Sequence, residues 1–252
     1  MTSGASQQST ALIAWPRQAA FGRVLPKSKI YQHSAANARL QRLFVEQVEK
    51  IVWQYKLAPE TINLAARPEV PEIQIFGIQL KTPALHADVL RCIDQAIPFP
   101  IVFELSFDDK IQVVAAYKRP NEANASRRVL SDHFASCWLP MDCKRSAMPI
   151  ALHLGGLYEQ LLHRLIPLRV RPQESLPALL ARAEQVQIKE RELGKAAARL
   201  AKEKQFNRKV EINATLRQIK TELDELKYPH IENHAAGTAS TDLDKEEGHG
   251  HS

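Results

Sequence analysis

A chain of 252 residues, 44% hydrophobic and 25% charged, can build a core and fits one domain with an appendage or two small domains. No stretch reaches the roughly 18 to 20 apolar residues that span a bilayer, and the patch 11–15 is too short for a signal core; a cytoplasmic, non-membrane protein is expected. The formal charge of +6 hides an asymmetry: beyond Pro229 five acids face only Lys245, which leaves +10 on residues 1–228, a balance suited to nucleic acid or another polyanion.

In chain order, residues 1–20 are rich in Ser, Gln, Thr and Ala and read as disordered. Leu40, Leu43, Phe44, Val48, Ile51, Val52 and Tyr55 recur at three and four, which predicts a helix over 36–56, ended by Pro59. Ile73 and Ile75 alternate in a strand over 72–81; Ile78 and Leu80 fall out of step, so Gly77 is expected to mark a bulge. A helix follows between Pro83 and Pro98, then a hairpin of 100–107 and 111–118 turning at Asp108-Asp109. A loop over 121–126, an edge strand over 128–137 and a helix over 154–165 complete a domain over 21–172. The pattern predicts an α+β fold, a mixed sheet with packed helices, in which 72–107 can form a parallel crossover.

From Pro177 to Tyr228 there is no further proline and one glycine, Gly194, so 173–228 reads as a long C-terminal helix of coiled-coil type, about 75 Å at 1.5 Å per residue. Leu179, Ala183, Val186, Leu193 and Leu200 lie on one seam; Ile212, Leu216, Ile219, Leu223 and Leu226 lie on another, one residue out of phase. Two offset seams require two partners, a bend or a foldback hairpin. Gln205, Asn207, Arg208 and Asn213 fall around the phase break, where polar side chains can set register. Residues 182–209 hold nine bases against four acids, either a solvated face or one that lies along phosphates. The segment 229–252 reads as a disordered acidic tail containing His230, His234, His249 and His251.

No phosphate-cradling loop, nucleophile elbow, HExxH or kinase pattern occurs, and Gly155-Gly156 reads as a turn. His153 and His163 are expected near the surface. Cys92, Cys137 and Cys143 make neither a disulfide framework nor a zinc set, so no metal and no cofactor are expected. Glu72 with Gln79-Leu80-Lys81 is a partial match to a Mg²⁺-dependent nuclease core, but Gln79 lacks the charge the metal needs. Asp94, Asp108 and Asp109 read as solvated carboxylates.

The segments 24–31, 51–63 and 72–76, with Ile93-Asp94-Gln95-Ala96-Ile97-Pro98, Ala116-Tyr117-Lys118 and 203–213, resemble the bacterial family of domain of unknown function 4391 over about residues 22–228. The resemblance implies a setting beside helicases and DNA methyltransferases in restriction-type or phage-defence clusters, with no assigned activity. Relatives are expected to carry an acid where Gln79 stands. Lys27, Lys56, Glu72, Lys81 and Lys118 are the polar residues of the matched blocks; Lys27, Lys56, Lys118, Lys204, Arg208 and Lys209 are candidates for contact with nucleic acid or a partner. The expected function is a non-catalytic adaptor that docks a helicase or methyltransferase through its long helix. The rivals are a nuclease using Glu72 and Lys81 and a homodimeric scaffold.

Overall fold

A computed structural model describes residues 11–34, 36–121 and 128–228. The chain divides between Ile188 and Lys189 into two units. In the first lie β1 (Ile13–Ala14), a 3-10 turn (Arg17–Ala19), β2 (Ala20–Val24), α1 (Lys27–Gln32), α2 (Ala38–Gln47), β3 (Val48–Leu57), α3 (Pro59–Ile62) and β4 (Ile73–Leu80). It continues through α4 (Ala87–Ala96), β5 (Ile101–Phe107), β6 (Lys110–Pro120), β7 (Arg128–Ala135), β8 (Leu139–Pro140), β9 (Ser146–Ala147) and α5 (Leu154–His163). Helix α6 (Leu176–Lys202) begins in the first unit and ends in the second, which also holds α7 (Phe206–Lys227). No described helix is long and apolar enough to cross a membrane.

The main sheet runs β2-β3-β4-β5-β6-β7, with β8 beside β6. Within it only β4 and β5 pair in parallel, joined by α4 as the crossover pattern predicts; the class is α+β. Both faces of the central strands are buried. Ile73 and Ile75 of β4 enter one cluster with Leu157 and Leu161 of α5; Phe76, Ile78 and Leu80 enter the other with Phe44 of α2 and Ile93 of α4. The apparent phase shift at Ile78 is therefore a strand buried on two faces, and β4 carries no bulge.

The bulges lie in β3, where a helix was expected. The pairing with β4 slips between Val48 and Lys50 and between Trp53 and Tyr55, so Glu49 and Gln54 are the extra residues. The first slip places Val48 and Ile51, three apart, in the same cluster and so imitates helical spacing. The second turns Tyr55 and Leu57 to the opposite face from Ile51 and Trp53. Gly77 leaves space for the side chain of the bulged Gln54, whose terminal amide a Cβ there would meet.

Residues 11–20, expected to be disordered, instead belong to the core. Leu12 and Ile13 are fully buried, β1 pairs with β9, and Trp15 Nε1 donates to Glu104 Oε1 at 2.8 Å. Arg145 grips Glu104 with both terminal nitrogens at 2.8 Å each and also donates to the Ile13 carbonyl at 2.8 Å. This pairing fixes the N-terminal segment on the sheet, since an Arg fork matches a carboxylate in two parallel bonds.

The start of α6 is part of the same unit, and Leu176, Leu179, Leu180 and Ala183 sit in its core. Arg182 Nε and Nη2 each donate to Glu174 at 2.7 Å, and Glu174 also accepts from the Arg171 amide. Arg182 thereby holds the Glu174 carboxyl below its ordinary value of 4.5. The folded chain takes up that proton later than the unfolded chain does. The pair's contribution is therefore complete above about pH 4.5 and is lost as pH falls through the folded-state value. Glu174→Gln is expected to lower the denaturation midpoint at pH 7 and to flatten the stability profile below pH 4.5, as read by urea titrations across pH.

The long helix expected over 173–228 is two helices. Residues 203–205 connect them without glycine or proline. Glu203 Oε1 accepts from the Lys204 and Gln205 amides at 2.8 and 2.9 Å, and Gln205 is extended at φ −82°, ψ 128°. A straight continuation of the first seam would meet Lys204, Asn207 and Glu211. Within the second unit α7 returns along α6: Lys189 pairs with Glu222 and Lys227 with Glu190, both at 2.7 Å. Ala196, Ile219 and Leu223 are buried, and Leu193, Leu200, Ile212 and Leu216 are half-buried. The foldback covers much of the apolar stripes that a single rod would expose.

Candidate functional site

The turn between α6 and α7 gathers cations. From Lys195 to Val210 stand Lys195, Arg199, Lys202, Lys204, Arg208 and Lys209, all exposed, against one acid, Glu203. Phe206, the first residue of α7, is 78% exposed among them, and Val210 is more than half exposed. Gln205, Asn207 and Asn213 are exposed too and add amide donors and acceptors. Glu203 is held below the ordinary carboxylate range, chiefly by the amides of Gln205 and Lys204, with Arg208 and Lys209 adding to the effect. It spends its charge on the turn. A phosphate chain would find here up to six cations and an aromatic face on which a base can stack.

The other basic candidates are engaged in the fold. Lys118, expected on a surface, is 2% exposed. Its ammonium donates to the carbonyls of Asp94, Ile97 and Phe99 at 2.8, 3.0 and 2.8 Å and meets Asp94 Oδ1 at 2.8 Å. It caps the C-terminal end of α4, where free carbonyls favour a cation. Burial pushes its pKa down and Asp94 opposes that shift; with four acceptors around Nζ the charged form is the one the geometry serves.

Asp94 is not the solvated carboxylate that was expected: it is buried, and its second oxygen meets His133 Nε2 at 2.7 Å. This Lys118–Asp94–His133 chain escaped the sequence reading because its members come from α4, β6 and β7. The Lys118 amide donates to the Tyr158 hydroxyl at 2.9 Å, and that hydroxyl donates to the Ala116 carbonyl, tying α5 to the same point.

Lys27 donates to the Val48 carbonyl and Lys81 to the Val45 carbonyl, both near the C-terminus of α2. Burial, then the nearby Lys81 charge, lowers the Lys27 pKa. Lys56 pairs with Glu60 at 2.8 Å and with Glu72 at 3.4 Å. Glu72 and Lys81 flank opposite ends of β4, about 30 Å apart at 3.3 Å per residue. Lys81 meets Glu49 at 3.7 Å instead. The structure does not bring the two nuclease candidates together.

Of the seam residues, Leu179, Ala183 and Val186 are buried in the first unit, and the remainder lie along the helical pair. His153 accepts from the Gly156 amide at 2.9 Å and so caps α5. The cysteines are free thiols. Among the described residues no group of three or more His, Cys, Asp or Glu is placed to hold a metal ion. The tail histidines and most of the 121–126 loop lie outside the described residues. A cleft of about 500 Å³ lies against β6, β7 and the start of α6, and its Arg91 is paired with Asp132 at 3.1 Å.

A family model described as a domain of unknown function (DUF4391) matches residues 13–223. No curated protein and no solved structure matches the chain.

Proposed function

We propose that this chain, which belongs to the family of domain of unknown function (DUF4391), is a non-catalytic accessory subunit that contacts single-stranded nucleic acid through the turn joining α6 and α7. The observation that carries this reading is Phe206, exposed within a patch of six bases and one acid. A lone large aromatic side chain in water forgoes the 1.5–3 kcal/mol or so that burial brings, whereas a base stacked on it recovers part of that. The cations supply sequence-independent attraction to phosphates, and the amides of Asn207 and Gln205 can meet base edges.

The proposed setting is a restriction-type or phage-defence assembly, with a helicase or DNA methyltransferase as the protein partner; the family resemblance motivates it. The docking element in this reading is the helical pair rather than a single rod. Much of the apolar seam is covered within the chain, so no observation favours a homodimeric scaffold over it. The separation of Glu72 from Lys81 gives the nuclease reading no support either. The test is binding of a labelled oligothymidine by the full chain at several salt concentrations, beside variants of the turn. Co-purification with a neighbouring helicase or methyltransferase, lost on removal of 189–228, tests the setting.

A further inference from the structure

A groove of about 340 Å³ opens where the segment before α4 passes the β5–β6–β7 face. Its walls are mainly apolar, with Pro83, Leu85, Leu90 and Trp138 among them, and its polar groups are His133, Gln112 and the Trp138 indole N–H. His133 is oriented from behind. Asp94, whose other oxygen meets the Lys118 ammonium, engages Nε2 at 2.7 Å and leaves Nδ1 as the ring nitrogen available to the groove. Nδ1 has no hydrogen-bond partner among the described residues and is not closed off from solvent. Gln112 is anchored by its amide nitrogen, which donates to the Ser136 carbonyl at 2.7 Å, and so keeps an acceptor oxygen.

We propose that this groove binds a neutral, flat aromatic small molecule carrying one N–H or O–H donor, of the indole or phenol type, with His133 Nδ1 as its acceptor. The volume lies within the range of small-molecule sites, and a few placed polar groups in an apolar lining are what such sites use for orientation. Apolar walls disfavour an ion, which would lose its hydration without a counter-charge. Trp138 and Pro83 offer flat faces to a ring, and the Gln112 side-chain oxygen and His133 Nδ1 are the atoms that a donor on the ligand would meet. The site is independent of the nucleic-acid reading: the groove belongs to the first unit and the basic turn to the second.

The test is calorimetric or ligand-observed magnetic-resonance titration of the full chain with indole and with indene, which has the same shape and no N–H. Saturable binding of one indole per chain, with indene about fivefold weaker, is the expected result; a single hydrogen bond corresponds to a factor of that order. His133→Phe is expected to reduce indole to the level of indene. Should that variant fail to fold, Ala84→Trp, at an exposed position on the rim, is expected to abolish binding by filling the mouth. Absence of saturable indole binding at millimolar concentration, equal binding of indene, or undiminished binding in Ala84→Trp overturns the proposal. Tighter binding of a tryptophan-containing peptide than of indole would assign the groove to protein recognition and overturn it equally.

Discussion

Replacing Asp94 by alanine is expected to lower folding stability by about 3–5 kcal/mol, because it strands the buried Lys118 ammonium without its counter-charge. The three backbone carbonyls around Nζ soften that loss without neutralising the charge. His133 loses its orienting carboxylate in the same step. Lys118→Met should be milder, since Asp94 keeps His133 as a partner, while the end of α4 loses its cap. The double variant Asp94→Leu/Lys118→Met should recover much of the loss, as apolar replacement of a whole buried pair commonly does. Urea titrations check this through midpoints at unchanged slope. Equal, small effects for both single variants would show that the pair is not electrostatically coupled.

Reversing Lys204, Arg208 and Lys209 together to glutamate is expected to remove binding to single-stranded nucleic acid at physiological salt while leaving the fold intact, because all three side chains are exposed. If the six cations of the turn all meet phosphates, log affinity should fall with log salt at a slope of about −4, and replacing the same three by glutamine, which neutralises them, should bring it near −2. Phe206→Ala should act differently: affinity falls by about 1–3 kcal/mol, the worth of one stacked base, at an unchanged salt slope. Anisotropy titrations between 50 and 200 mM salt separate the two terms. A wild-type slope near zero would remove the electrostatic half of the account.

Where one periodicity dominated, the sequence was readable. The alternation in β5, the amphipathic stripe of α4 and the acidic turn before β6 all lie where the pattern places them. Residues 48–57 misled because bulges at Glu49 and Gln54 break the two-residue period, and Val48 with Ile51 then matches a helical template. Residues 11–20 misled because composition averages over a window, while burial of Leu12, Ile13 and Trp15 depends on β9 and Glu104, far along the chain. The two offset seams did carry the break between α6 and α7, though no helix-breaking residue marks it. The basic turn was legible as charge, and Phe206 stood inside the quoted segment without being singled out. The Lys118–Asp94–His133 chain was not legible at all: side chains 24 and 39 positions from Asp94 meet only after the sheet has formed.

Photo-crosslinking of a bromodeoxyuridine-substituted single strand to the full chain, followed by peptide mapping, addresses the function most directly. The account predicts that the adduct falls on Phe206 or its immediate neighbours and disappears in Phe206→Ala. Adducts confined to residues 11–188, or an unchanged yield in that variant, would contradict it.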